Sequence, residues 1–208
     1  MEDIQPEQIR EHIVLLGERL FEAPCDHIVI DNVAAAHLAT THLLSLGRRR
    51  LAAIGVMEPN HYNETPALRL KGFTQTLQEA GQAIDQVLLA PGRDWHRAGG
   101  AAAMRYLLSL ADPPDAVFCF NDLMALGAMS VLHEAGLRIP QDVAIVGFDD
   151  IEDGRYATPS LTTIAPDKEE IGRLAVSLLI ERIKKTRTQP PGTINVPFRL
   201  CVRRSTVP

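Results

Sequence analysis

The chain has 208 residues, 46% hydrophobic and 23% charged, which suits an ordinary globular protein with one or two buried cores. A net charge of −5 argues against a nucleic-acid-binding module, which presents a basic face. No apolar run reaches membrane-spanning length, Met1–Arg10 is polar and acidic rather than a secretion signal, and Cys25, Cys119 and Cys201 lack metal or redox spacing, so a reducing cytoplasm fits best.

Residues 1–11 are polar, with a short helix expected after Pro6. Ile13–Leu16 reads as an apolar strand that ends at Gly17, and residues 20–27 as a loop containing Pro24. A short strand follows at Ile28–Ile30. Asp31 or Asn32 then caps a helix whose buried face is Val33, Ala36, His37, Thr40, Leu43 and Leu44, closed by Gly47. Arg48, Arg49 and Arg50 are the one cationic cluster, placed where cations complement a helix C-terminus. Next come a strand at 51–56, a helix at 65–80 closed by Gly81, a strand at 86–90 and a helix at 96–110. Strands alternating with helices imply a parallel sheet covered on both faces.

The stretch from Asp115 to Asp150 carries the strongest pattern. Ala116–Phe120 is a buried strand bounded by Pro113 and Pro114, and Asn121 and Asp122 stand where a helix N-cap belongs. Leu123, Leu126, Met129, Val131 and Leu132 recur at helical spacing, and Gly136 can take the left-handed conformation that ends a helix. Met124, Ala128 and Ser130 fall off that stripe and are expected to face a partner. Val143–Val146 is a second buried strand, ending at Gly147, Phe148, Asp149 and Asp150. Strand, helix and strand with a short return make a βαβ unit with parallel strands. Asn121 and Asp149 then lie at carboxyl ends of parallel strands, where open α/β sheets bind ligands. Beyond Asp150 the chain reads as a loop at 151–160, a strand at 161–164 and a helix at 168–185. That helix has the apolar stripe Ile171, Leu174, Ala175, Leu178, Leu179 and Ile183. A Pro-rich linker precedes a single final strand at Ile194–Val202.

The polar residues at these turns have two readings each. Asp149 and Asp150 either cap a turn or accept hydrogen bonds from a ligand's hydroxyls, the charge-assisted kind being strong. Arg69 is either solvated or a planar donor fork for hydroxyls, carboxylates or phosphates. Asn121 is either the helix cap or a donor and acceptor for a hydroxylated ligand. Trp95, the sole tryptophan, is either an edge aromatic or a stacking platform for a ring. Thr65, Asp31 and Asn32 are further candidates at strand-to-helix turns. There is no GxSxG, GxGxxG or GxxxxGK[ST], and no HExxH among the seven histidines, so no catalytic residue, cofactor or metal ligand is expected.

The segment FNDLMALGAM, then IPQDVAIVGFDD, then PSLTTI resembles the effector-binding core of the LacI/GalR family of bacterial transcriptional regulators, and the likeness runs more loosely from about Leu15 to Thr206. The resemblance implies an α/β fold of periplasmic-binding-protein-like type I, with doubly wound parallel sheets in two lobes. It implies an incomplete N-terminal lobe at 1–31, a C-terminal lobe at 32–163, a return to the N-terminal lobe at 164–187, and a linker and final strand near the hinge at 188–208. It makes Asp149 the effector-binding aspartate, Arg69 the arginine before Gly72 and Phe73 in the effector site, and Trp95 the stacking residue. Pro166 departs from the polar contact that some members carry there. The implied function is effector binding and dimerisation. A small metabolite, a sugar or related polyol, would modulate operator DNA binding through a headpiece absent from this sequence. The expected partners are that effector, operator DNA through the missing headpiece only, and a second copy in a homodimer, with no membrane. A sugar transporter's solute-binding protein is the alternative. The chain by itself is expected neither to bind operator nor to bind effector well.

Overall fold

A computed structural model of the chain describes residues 13–17, 25–57, 65–92 and 94–207. The helix expected after Pro6 and most of the loop around Pro24 lie outside these residues. The chain divides into two compact units. One gathers 1–31, 60–65 and 166–198, and the other 32–59, 66–165 and 199–208. Among the described residues no helix is long and apolar enough to cross a membrane.

The first unit contains a three-stranded sheet in the order β1 (Val14–Leu16), β2 (Asp26–Val29), β8 (Thr193–Asn195), with both pairings parallel. Helix α6 (Lys168–Ile183) packs on it. Asp167 caps the helix by accepting from the Glu170 amide at 3.0 Å. Ile28, Leu178 and Val196 form the buried centre, with Ile171, Leu174 and Ala175 packed against them, so most of the expected stripe is the core face. Ile183 is the exception, at 56% exposure. Asp26 is fully buried and is neutralised by Arg182 at 2.9 Å and Arg187 at 3.0 Å, a knot tying the end of α6 to the start of β2. This explains why β2 starts earlier than its apolar run suggests.

The second unit is built on a six-stranded sheet. Its order is β4 (Leu89–Pro91), β3 (Leu51–Val56), β5 (Ala116–Cys119), β6 (Ala144–Phe148), β7 (Thr162–Pro166), β9 (Phe198–Cys201). The pairings β3–β4, β3–β5, β5–β6 and β6–β7 are all parallel. The helices are α1 (Asn32–Ser45), α2 (Thr65–Glu79), α3 (Arg97–Leu108), α4 (Asp122–Glu134) and the short α5 (Glu152–Tyr156), which occupies part of the expected loop. Since β3 continues outward to β4 while β5 continues the other way to β6, the strand order reverses between β3 and β5. A crevice forms at such a switch point.

Two local readings are corrected. Residues 86–88 form a 3₁₀ turn, and β4 begins only at Leu89. The expected single strand at 194–202 is two strands in two different sheets, separated by Val196 and Pro197. The arginine cluster follows the end of α1 as expected, and two of its members also have specific partners. Arg48 donates to the carbonyls of Pro140 and Gln141, and Arg50 pairs with Asp85 at 3.2 Å and Asp112 at 3.1 Å.

Met124 and Ala128 were expected to face a partner, but both are fully buried, and only Ser130 of that trio is exposed. The reason is α3. A Cβ on Gly100 would fall on the backbone of Met124, and one on Gly127 would fall on the carbonyl oxygen of Arg97. The two helices therefore meet backbone to backbone, and α4 is covered by α3 as well as by the sheet.

The C-terminal turn is stapled to the sheet. Ser205 Oγ donates to Ile145 O at 2.6 Å and accepts from Thr162 N at 2.8 Å. Cys119 is fully buried in β5, and burial pushes its thiol far above the ordinary range. In the native protein a thiol reagent is expected to modify half-buried Cys201 first and Cys119 only on unfolding, as mass spectrometry of labelled peptides would show.

Candidate functional site

The carboxyl end of the six-stranded sheet brings four of the seven expected site residues together. Arg69 sits in the first turns of α2 and is only 6% exposed. Its Nε donates to Asn32 Oδ1 at 2.7 Å, and Nη1 donates to the Phe120 carbonyl. The guanidinium carbon lies 3.4 Å from the centre of the Phe148 ring and 5.9 Å from that of Trp95. A buried cation needs such partners, because desolvation without them is costly. Helix α1 supplies Asn32 at its first residue, the residue after β5 supplies the carbonyl and β6 supplies the ring.

Asn121 follows β5 and caps α4, with Oδ1 accepting from Met124 N at 2.8 Å. Its Nδ2 donates to the Trp95 carbonyl at 2.7 Å. Both ends of the amide thus hold backbone, so the capping reading describes its contacts and its effect on the site runs through Trp95. Trp95 is half-buried with φ 55, and its indole N–H is buried with no hydrogen-bond partner among the described residues. Asp94 shapes this turn by accepting from His96 N at 3.0 Å and Gly99 N at 3.1 Å.

Asp149 immediately follows Phe148 at the end of β6 and has φ 111, while Asp150 has φ 50. Two consecutive non-glycine residues in the left-handed region indicate a turn held by its surroundings. Asp149 N donates to Ile164 O at 2.9 Å. Asp150 is turned inward, paired with Arg155 at 2.7 Å and Arg203 at 2.5 Å. Burial pushes the Asp150 carboxyl up, but these two arginines outweigh it and hold the group below the usual carboxylate range. The two adjacent aspartates therefore differ, and Asp150 belongs to a structural ion cluster. Asp31 and Thr65 close segments of the first unit.

Three participants escaped the sequence reading. Phe148 and the Phe120 carbonyl hold Arg69, and Asp122 is completely buried beneath the turn. Asp122 accepts from Thr163 Oγ1 at 2.6 Å and from Ile151 N at 2.9 Å. Burial pushes its carboxyl up to about 7, against the pull of those two bonds, and Asp149 and Asp150 add to the push. An aromatic at the very end of a buried strand and a second carboxylate in the cap were the available signals. Neither states its partner. Among the described residues no group of His, Cys, Asp or Glu is placed to hold a metal ion.

Comparison with known proteins places this arrangement. The profile of the periplasmic binding protein-like domain matches residues 40–206. The HTH-type transcriptional repressor PurR of Escherichia coli O1:K1 / APEC is 39% identical over 198 residues, covering 93% of this chain and 56% of the repressor. The chain thus spans just over half the length of the curated relatives it matches. Among solved structures, a regulator assigned to the LacI family from Sanguibacter keddieii DSM 10542 is 45% identical with a TM-score of 0.87, covering 94% of this chain and 73% of its own. The transcriptional regulator CelR in complex with cellobiose is 32% identical with a TM-score of 0.84, covering 96% and 67%. A LacI family regulator from Enterococcus faecium with bound ribose is 33% identical with a TM-score of 0.83, covering 94% and 70%. These relatives are transcriptional regulators rather than enzymes. The chain belongs to the LacI/GalR family of transcriptional regulators and carries its effector-binding, periplasmic-binding-protein-like domain.

Proposed function

We propose that this domain binds a small hydroxylated metabolite, a sugar or related polyol, at the carboxyl end of the six-stranded sheet. In the whole protein that binding modulates operator DNA affinity. The observation that carries the reading is the Arg69 guanidinium, immobilised between the Phe148 ring and the Asn32 carboxamide beside Trp95. A fixed planar donor fork beside an indole face matches a ligand with vicinal hydroxyls and an apolar ring face. Asp149 supplies the acceptor, and Trp95 the stacking surface, with Asn32, Asn121, Asp31 and Thr65 as further contact or supporting positions. The sugars bound by two of the neighbours, cellobiose and ribose, support that ligand class. The protein works in the cytoplasm as a homodimer, for which sedimentation at micromolar concentration is the direct measurement.

The test is a thermal-shift screen, on the whole protein, of sugars and polyols that includes ribose and cellobiose, followed by calorimetry on the hits. A ligand at 100 times its Kd adds about 2.7 kcal/mol of stability. Asp149→Gly separates fold from function. Glycine accepts φ 111 without strain, and a strained residue of this kind costs ~1–3 kcal/mol, so the variant is expected to fold at least as stably. Its affinity for the hit should fall roughly tenfold to a hundredfold, since a hydrogen bond to a charged group contributes ~1.5–3 kcal/mol. Unchanged affinity in the folded variant removes Asp149 from the site, and a screen in which no hydroxylated compound stabilises the protein overturns the ligand class.

A further inference from the structure

We propose that Asp122 is a positioning residue for the turn at 149–151, and that it holds this turn through one proton shared with Thr163, so that the hydrogen bonds to the turn's amides change in strength when that proton leaves. The proposal deepens the effector-site reading above and rests on it for its meaning.

The geometry allows two complete arrangements. Asp122 Oδ1 faces Thr163 Oγ1 at 2.6 Å, and Thr163 Oγ1 also lies 3.2 Å from Ile164 O and 3.4 Å from Asp150 N. A hydroxyl has one proton and two lone pairs. With Asp122 ionised, Thr163 donates to the carboxylate. With Asp122 protonated, Asp122 donates to Thr163, which then donates to Ile164 O. Neither arrangement strands a buried donor, so the proton can come and go without breaking the core.

Both arrangements act on the same backbone. Ile164 O accepts from Asp149 N, Thr163 Oγ1 from Asp150 N, and Asp122 Oδ2 from Ile151 N. All three amides of the turn thus end on atoms whose electron density shifts with the proton. The space for the carboxylate is provided by Gly147, because a Cβ there would land on Asp122 Oδ1.

The surrounding charges decide which group responds. Asp150 is held ionised by Arg155 on α5 and Arg203 on the C-terminal segment. Cys119 on β5, whose thiol feels the Asp122 charge, stays neutral. The charges of Asp149 and Asp150 both press a proton onto Asp122, adding to what burial does. Because burial raises the folded-state value of Asp122, the folded protein holds a proton that the unfolded chain has released. Stability from this group therefore falls as pH rises from the ordinary carboxylate range through about 7.

The experiment is a ligand-free NMR titration of this chain labelled with 13C at aspartate Cγ and with 15N throughout. Asp122 Cγ should titrate near pH 7, and the Ile151 amide should move with the same midpoint. Asp122→Asn keeps the shape and reproduces the protonated arrangement, so the Ile151 amide should lose its titration in a well-dispersed spectrum. Thr163→Val removes a bond that stabilises the ionised form, so the midpoint should rise. An Asp122 Cγ with an ordinary carboxylate midpoint, or an Ile151 amide that stays still between about pH 6 and pH 8, overturns the proposal. If either variant fails to fold, the wild-type titration decides alone. No ligand is used, so failure here leaves the effector reading standing, and a failed ligand screen leaves this one standing.

Discussion

Arg69→Met is expected to lower stability by about 2–4 kcal/mol and to abolish effector binding. The substitution keeps the aliphatic stem, so the cavity it leaves is small. What disappears is the guanidinium of a residue only 6% exposed, which leaves the Phe120 carbonyl and the Asn32 carboxamide without this donor. Each buried acceptor deprived of a donor costs ~1–3 kcal/mol, and the lost contact with the Phe148 ring at 3.4 Å adds ~0.5–2 kcal/mol. Opposing these is relief from burying a cation, which keeps the total below the simple sum. Arg69→Lys should rescue little, because an ammonium cannot reach a carboxamide and a carbonyl while lying flat on a ring. Urea unfolding gives the stability and calorimetry the binding. A midpoint within experimental error of the wild type would show that the cage around Arg69 contributes nothing.

Gly127→Ala reverses the usual sign of a helix substitution. In an open helix, alanine in place of glycine gains ~0.5–1 kcal/mol through propensity. At position 127 the added carbon lands on the Arg97 carbonyl, so α3 and α4 must separate along their whole contact. Overpacking of that kind costs ~1–3 kcal/mol, and it exceeds the propensity gain because the obstacle is backbone. Gly172 in α6 is the control, since a Cβ there meets nothing, and Gly172→Ala should be stabilising. Thermal unfolding of the two variants should therefore shift in opposite directions. A shift in the same direction would show that the helices have slack. Because Trp95 lies just before α3, Gly127→Ala should also weaken ligand binding.

The alternation of strands and helices was legible because each element is bounded by its own local signals, such as Gly47, Gly81 and the cap at Asn121. The final strand was misread for a different reason. Val196 N bonds to Val29 O, and Asp167 N bonds to the Pro197 carbonyl. The change of sheet is set by those distant partners, while an apolar run looks the same on both sides of it. Met124 and Ala128 were misplaced because helical spacing reveals one buried stripe only. The second stripe is created by the close approach of α3, through Gly100 on that helix and Gly127 on α4. Of the candidate residues, Asp149, Arg69 and Trp95 were named from turns and family resemblance, and Arg69 does lie beside Trp95. The rings and carbonyls that hold them were not, since a carbonyl has no sequence identity and Phe148 looks like any other strand residue. Asp122 is the instructive case. Asn121 is the cap, and the acid beside it points into the protein under Ile151. Adjacent polar residues at a helix start need not share a task.

The turn at Trp95 has an optical consequence. The chain contains one tryptophan, so its ultraviolet emission comes from a single place. That indole has a guanidinium 5.9 Å from its ring centre and an N–H shut away from water, and its own carbonyl is gripped by the residue that begins α4. Colour and lifetime of the emitted light therefore register whatever comes to lie against this one ring. The protein carries its own dye, already mounted beside the crevice.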